Sequence, residues 1–240
     1  MTRTTEDVRR ATSRFASGLA DADPAAEVPS CPGWTVLDLV AHLGNIHAWA
    51  AGVVDTGRRG PASEDRPDPG RLQTWYAERA GVLLTALEAS DPEAPCWNFA
   101  GVQETKGFWR RRQMLETQMH LVDLDQAHGR PTDLEADDCA DGVTETCEIF
   151  LPRLHARGYP ADLAEPVSFV ATDTRHRWTL TPCEGLPPAL TLASGVLAND
   201  RLQGTAEQLW LLLWKRADDG VERIGDAERL SRLLASRLTG

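Results

Sequence analysis

Two short segments of this chain carry residue types that can hold a metal ion. One is Val36-Leu37-Asp38-Leu39-Val40-Ala41-His42-Leu43; the other, far downstream, is Glu116-Thr117-Gln118-Met119-His120. Glu116 and His120, four residues apart on a helix, lie about 40° apart around its axis and one turn removed, so both can address one ion. A histidine from a second helix would complete a set of two histidines and one carboxylate, a common catalytic zinc arrangement with a position left open. The same Glu/His spacing is also an ordinary surface pairing worth tenths of a kcal/mol. His42 and His47 would be about 140° apart on their helix, so only one can join the set, and helical phase favours neither. Asp38 reads first as the capping-box partner of Thr35 and second as a group that orients a ligand. Asp123, one turn beyond His120, either orients a ligand or lies in solvent. Arg110, Arg111 and Arg112 fan over about 200°, so one or two can face the site, where a guanidinium would bind a carboxylate. Cys31 reads as a packing residue ahead of a helix, with a nucleophile as the lesser alternative. His128, beside a helix-ending glycine, complements a helix dipole.

The elements that must position these residues follow from hydrophobic periodicity. Residues 4–20 predict a first helix, with Val8, Ala11, Phe15 and Leu19 at helical spacing. A Pro-containing link over 21–33 follows, and Thr35 predicts the N-cap of a helix running through His42 to about Val54. The stretch 57–70, with Pro61, Pro67 and Pro69, predicts a loop. A third helix is expected over 72–89, a loop over 91–101, and a fourth helix over 106–128, stopped by Gly129-Arg130-Pro131. Four amphipathic helices with such connections predict an antiparallel bundle. Residues 136–157 predict a fifth helix disrupted at Pro152. Strands are expected over 167–172, 177–181, 189–193 and 195–197, then helices over 205–216 and 226–237. The fold class is therefore α+β in two domains: residues 1–158 helical, residues 159–240 a small α+β domain.

Composition narrows the partners. Lys plus Arg number 25 against 36 Asp plus Glu, a formal charge of −11, which repels nucleic acid phosphates and anionic lipid and argues against both as partners. Hydrophobic content of 42% and charged content of 25% fit an ordinary globular protein. The five cysteines are widely spaced with no CxxC, against a disulfide framework or a zinc ribbon. Met1 to Asp7 is polar, without a signal-peptide hydrophobic region, and no run approaches the roughly 18 apolar residues of a membrane span, so a reducing cytoplasm is expected. No GxGxxG, GxxxxGK[ST] or GxSxG occurs, which weakens dinucleotide, nucleotide and α/β-hydrolase readings.

Taken together, these segments resemble the mycothiol-dependent maleylpyruvate isomerase family of actinobacteria, whose N-terminal part is a DinB-like four-helix bundle. The resemblance runs over almost the whole chain. It includes Cys31-Pro32-Gly33-Trp34-Thr35-Val36, Asp38 to Leu43, and Trp109 to Arg112 leading to Glu116 and His120 with Asp123 behind. Leu202-Gln203-Gly204-Thr205-Ala206 and Leu211 to Arg216 are similar to that family's small second domain. One departure is Lys215, where the family pattern has a small residue, often Gly. The resemblance implies a metal held by His42, Glu116 and His120, and it settles the choice between His42 and His47. It implies Zn²⁺ first, with Ni²⁺ or Fe²⁺ as alternatives, and mycothiol as the thiol cosubstrate.

The implied chemistry is a metal-bound thiolate that adds to an electrophilic small molecule. In a cis–trans isomerase, rotation follows and the thiol leaves again; in a mycothiol S-transferase, the adduct is released. Arg216 and one of Arg110 to Arg112 are then the residues that would hold substrate carboxylates. A monomer or weak homodimer is expected. The competing readings are a non-catalytic metal-binding module for a small molecule or partner, and a metal-dependent hydrolase that works without the thiol.

Overall fold

A computed structural model of the chain describes residues 3–192 and 196–239. They fall into two compact units, Met1–Asp133 and Leu134–Gly240. The first is built from α1 (Thr5–Gly18), α2 (Val36–Thr56), α3 (Leu72–Glu88) and α4 (Gly107–Ala127), with a 3₁₀ turn at Pro69–Arg71 leading into α3. Helices α1 and α2 each pack on both α3 and α4, which makes the four-helix bundle that the periodicity predicts.

Local chemistry sets the helix ends. Both α1 and α2 open with a reciprocal capping box, Thr4 with Asp7 and Thr35 with Asp38, which satisfies backbone N–H groups that a helix start leaves unpaired. Helix α2 closes on Gly57 in the left-handed region (φ 70°), where a Cβ would be strained. Phe15, Leu39, Leu43, Tyr76, Leu121 and Leu124 meet in the core, with the Phe15 and Tyr76 rings 4.6 Å apart. Helix α4 is unlike the others, because Arg112, Gln113, Thr117, Gln118, His120 and Asp123 are all buried on it. Polar groups are costly to bury without partners, so α4 carries the polar interior of the bundle.

The second unit holds α5 (Ala136–Glu145), α6 (Leu151–Ala156), α7 (Ala206–Leu213), α8 (Ala227–Ala235) and five strands: β1 (Val167–Ala171), β2 (Arg177–Cys183), β3 (Leu186–Leu192), β4 (Asp200–Gly204) and β5 (Glu222–Ile224). The sheet order is β3-β2-β1-β4-β5. Strands β1 and β4 are parallel, Phe169 opposite Leu202, and the other neighbours are antiparallel. Phe169, Trp178, Leu180 and Leu202 are buried, as are Leu209, Trp210 and Leu213 of α7.

Several expectations need amending. By contacts, α5 and α6 go with the second unit, so the division falls at 133/134, ahead of the expected 158/159. The reason is side-chain fit. A Cβ at Gly142 would lie 2.2 Å from the Trp210 ring, so α5 and α7 meet where only a glycine fits. The indoles of Trp178 and Trp214 donate to the hydroxyls of Thr144 and Thr146 at 2.8 and 3.1 Å. The expected disruption at Pro152 is a π-helical turn over Thr146–Phe150 just ahead of it, where the missing proline N–H and its ring displace the i−4 pattern. Of the expected strand 195–197, Gly195 lies outside the described residues, while Val196 and Leu197 are irregular; the pairing strand is β4 instead. Strand β5 was not anticipated.

Helix α7 ends at Leu213, short of the expected 216, because Lys215 sits at φ 58°. A left-handed conformation costs an L-residue roughly 1–2 kcal/mol, which explains why this is where a glycine is the expected residue. Lys215→Gly should raise unfolding stability by about 0.5–1 kcal/mol once the extra chain entropy of glycine is offset. A denaturant midpoint equal to or below wild type would contradict that assignment of strain.

Candidate metal centre

His42 reaches the polar interior from α2, and Glu116 and His120 from α4. The Nε2 of His42 lies 3.6 Å from Oε1 of Glu116, and the Nε2 of His120 lies 3.4 Å from the same oxygen. One ligand atom from each of the three falls within 4.8 Å of the other two. Nitrogen and oxygen ligands of a tetrahedral zinc ion sit roughly 3.3–3.6 Å from one another, given bonds of about 2.0–2.2 Å. Two of the three edges already have that length, so the donor set and its spacing fit a divalent ion.

Each of these three side chains is held by a neighbour. The Nδ1–H of His120 donates to Oδ2 of Asp123 at 2.8 Å, which leaves Nε2 with its lone pair toward Glu116. Asp123 is fully buried. Its other oxygen accepts from the Ser30 hydroxyl at 2.6 Å, and the Cys31 thiol donates to Oδ2 at 3.7 Å. Arg112, buried one turn before Glu116, donates to Oε2 of Glu116, so Oε1 is the oxygen presented to the cluster. His42 packs against the Trp34 ring at 5.0 Å and the His120 ring at 5.1 Å. Burial first, and the neighbouring His120 second, push the His42 pKa down to about 4, so the ring is neutral and its nitrogen can bind an ion near pH 7.

The turn before α2 supplies the outer contacts. Val28 N–H donates to Trp34 C=O at 2.9 Å and Trp34 N–H to Cys31 C=O at 3.0 Å, with Gly33 at φ 84° between them. This tight reversal presents Ser30 and Cys31 to Asp123 and lays Trp34 on His42.

The remaining candidates sort by partner. His47 is wholly buried and faces the core: Nδ1 lies 2.7 Å from Oε1 of Gln113 and Nε2 lies 3.0 Å from the Tyr76 hydroxyl. Burial lowers its pKa to about 4, so it is a neutral core histidine. Asp38 is the helix cap, accepting from Thr35 N–H at 2.9 Å and Thr35 Oγ1 at 2.7 Å, with Arg66 on its second oxygen at 2.6 Å. Of the three arginines, Arg112 faces the cluster, while Arg110 donates to the carbonyls of Leu87 and Ser90. Cys31 packs at the edge of the core. His128 donates from Nδ1 to the Leu124 carbonyl at 2.8 Å and accepts from Asp23 N–H at 3.3 Å, a structural pairing. Arg216 belongs to the second unit, where its Nη1 donates to Trp214 C=O at 2.9 Å and its guanidinium lies 5.8 Å from the Trp214 ring centre. Ser30 was missed from sequence; nothing local to it signals a partner on α4. The i, i+4 spacing of Arg112 and Glu116 did carry a signal, and it singles out the third arginine of the run.

A family model described as the mycothiol maleylpyruvate isomerase N-terminal domain matches residues 5–125. Among curated proteins, none matches this sequence. Two solved structures are similar over most of the chain. A crystal structure of the mycothiol-dependent maleylpyruvate isomerase shares 16% identity at a TM-score of 0.65, covering 91% of this chain and 90% of its own. A structure of a histidine-to-alanine mutant of that isomerase shares 15% identity at a TM-score of 0.63, with the same coverage. At that identity the likeness establishes the fold, an N-terminal four-helix bundle followed by a small α+β domain. No helix among the described residues is long and apolar enough to cross a membrane.

Proposed function

This chain belongs to the family of the mycothiol maleylpyruvate isomerase N-terminal domain, and on that premise we propose that it is a mycothiol-dependent metalloenzyme acting on an electrophilic small molecule, as a cis–trans isomerase or an S-transferase. The observation that carries the reading is the cluster of His42, Glu116 and His120, whose donor atoms fit a divalent ion. A divalent ion there, Zn²⁺ first with Ni²⁺ or Fe²⁺ as alternatives, would supply the Lewis acidity that keeps a sulfur ligand as thiolate near pH 7.

The chain's own residues supply the rest. Asp123 fixes the tautomer of His120, so that Nε2 faces the cluster without a proton. Arg112 takes up one oxygen of Glu116 and leaves the other as a single donor. Trp34 covers one side of His42 and limits water there. For Arg216 we propose a grip on a carboxylate of the electrophile, the role for which a planar guanidinium is suited. The described cysteines carry no disulfide, which suits the reducing cytoplasm in which a thiol cosubstrate persists. We propose a monomer or weak homodimer that binds neither nucleic acid nor membrane.

Elemental analysis with mycothiol-binding calorimetry tests this reading. About one equivalent of metal, and mycothiol binding that vanishes on chelation, is the expected result. Metal without thiol binding would overturn thiolate chemistry in favour of a hydrolase or a non-catalytic module. Arg216→Ala should keep its metal while turnover of a carboxylate-bearing electrophile falls on the order of tenfold to a hundredfold, the worth of one charge-assisted contact. Unchanged kinetics would place Arg216 outside the site.

A further inference from the structure

A cavity of about 500 Å³ opens in the first unit beside His42, walled by α2 and by the connection that follows it. Its inner wall continues from His42 to Asn45 and Trp49, successive turns of one α2 face. Its outer wall runs from Arg59 to Arg66. The connection is pinned rather than loose. Asn45 Nδ2 donates to the Asp65 carbonyl at 2.8 Å, Trp49 Nε1 donates to the Gly60 carbonyl at 3.1 Å, and Arg79 holds the Asp65 carboxylate at 2.6 Å. The cavity is therefore preformed.

Its chemistry is that of a site for a neutral, hydroxyl-rich molecule. The lining holds two arginines, Arg59 and Arg66, and two acids, Glu64 and Asp65, so its formal charge is zero. Arg66 is matched by Asp38 and Asp65 by Arg79, and the Arg59 guanidinium lies over the Trp97 ring, 5.8 Å from its centre, so Arg59 and Glu64 line the space as one donor group and one acceptor group. A small dicarboxylate would find no net positive field there. It would also leave much of the volume to water, since drug-sized ligands occupy sites of about 300–1,000 Å³. The Trp49 ring, oriented by its bond to Gly60 and packed edge-to-face on Trp97 and Trp109, offers a rigid apolar face of the kind on which the C–H side of a sugar or cyclitol stacks. Asn45 supplies an independent sign. Its Oδ1 is shielded from solvent and has no hydrogen-bond partner, a costly state that a ligand O–H or N–H would relieve.

We propose that this cavity receives the polyhydroxyl part of the thiol cosubstrate, its glucosamine–inositol portion, with the sulfur directed to His42, Glu116 and His120. This rests on the reading of mycothiol as cosubstrate. His42 belongs to both the cluster and the cavity wall, and Asn45 lies only about 4.5 Å further along the helix axis, within the reach of the amide that joins the thiol-bearing residue to the sugar.

The experiment uses three probes on the full chain: mycothiol, neutral N-acetylglucosaminyl-inositol without a thiol, and N-acetylcysteine without the sugar. Tryptophan fluorescence and calorimetry read binding, with metal content measured in parallel. Ala62→Trp fills the cavity from its outer wall, and Glu64→Gln removes its uncommitted acidic group. Ala62→Trp should weaken mycothiol and the thiol-free polyol by about tenfold or more, and Glu64→Gln several-fold, while N-acetylcysteine binding and metal content stay at wild type. The polyol should also bind metal-free protein. Mycothiol binding to both variants as tightly as to wild type would overturn the assignment, and so would failure of wild type to bind the polyol. If the polyol binds and the variants abolish it while no thiol binds the metal-loaded protein, the cavity assignment stands and the thiolate reading falls.

Discussion

His120→Ala is expected to purify folded and nearly free of divalent metal. The substitution removes one of the three proposed ligands, the one whose Nε2 lies 3.4 Å from Glu116. Two ligands from different helices hold an ion far more weakly than three, and the loss should exceed the 10- to 100-fold typical of disturbing a ligand's hydrogen-bond partner. The fold should survive, because alanine is the best helix former and His120 is flanked on α4 by the buried Met119 and Leu121. Elemental analysis beside wild type decides the matter, and wild-type metal content in the variant would remove His120 from the ligand set. His47 is the control. It is equally aromatic, on the same helix as His42, and engaged with Gln113 and Tyr76; replacing it should cost stability and leave metal content intact.

Asp123→Asn should lower metal affinity about 10- to 100-fold with little change in fold. The two side chains have the same shape, and an asparagine can still accept from His120 through its oxygen and bond Ser30 through its amide. What disappears is the buried negative charge that makes the imidazole a stronger donor to an ion. Competition against a chelator of known affinity measures the shift, and circular dichroism checks the fold. An affinity within twofold of wild type would show that Asp123 merely packs. Asp123 lies wholly inside the bundle and touches Ser30 and Cys31 from a distant part of the chain, so helical spacing alone left open whether it orients His120 or lies in solvent.

Much of the helical architecture was readable because helices obey local rules. The Thr35–Asp38 cap, the stop after His128 and the alternation of buried turns depend on residues within a few positions of one another. The sheet was harder. Strand β4 contains Asp200 and Arg201, which argue against a buried strand, yet Asp200 is buried because Arg229 reaches it at 2.6 Å from α8 and Asp226 N–H donates to it at 2.8 Å. That compensation comes from residues far along the chain. Trp210 filling the place of a side chain at Gly142 is likewise a meeting of distant elements, and it moves α5 into the second unit.

For the candidate site the same division holds. By itself, the sequence determined that Glu116 and His120 share a face of α4, since a spacing of four on a 3.6-residue turn leaves no other outcome. It also placed Arg112 one turn before Glu116. Residue spacing left His42 and His47 equal, and only the packing of α2 against α4 separates them in space: it turns His42 to Glu116 and His120, and His47 to Gln113 and Tyr76. Tertiary structure alone decided the Ser30 and Cys31 contacts of Asp123 and the cavity beside His42, because both are made where segments without any local relation are brought into contact.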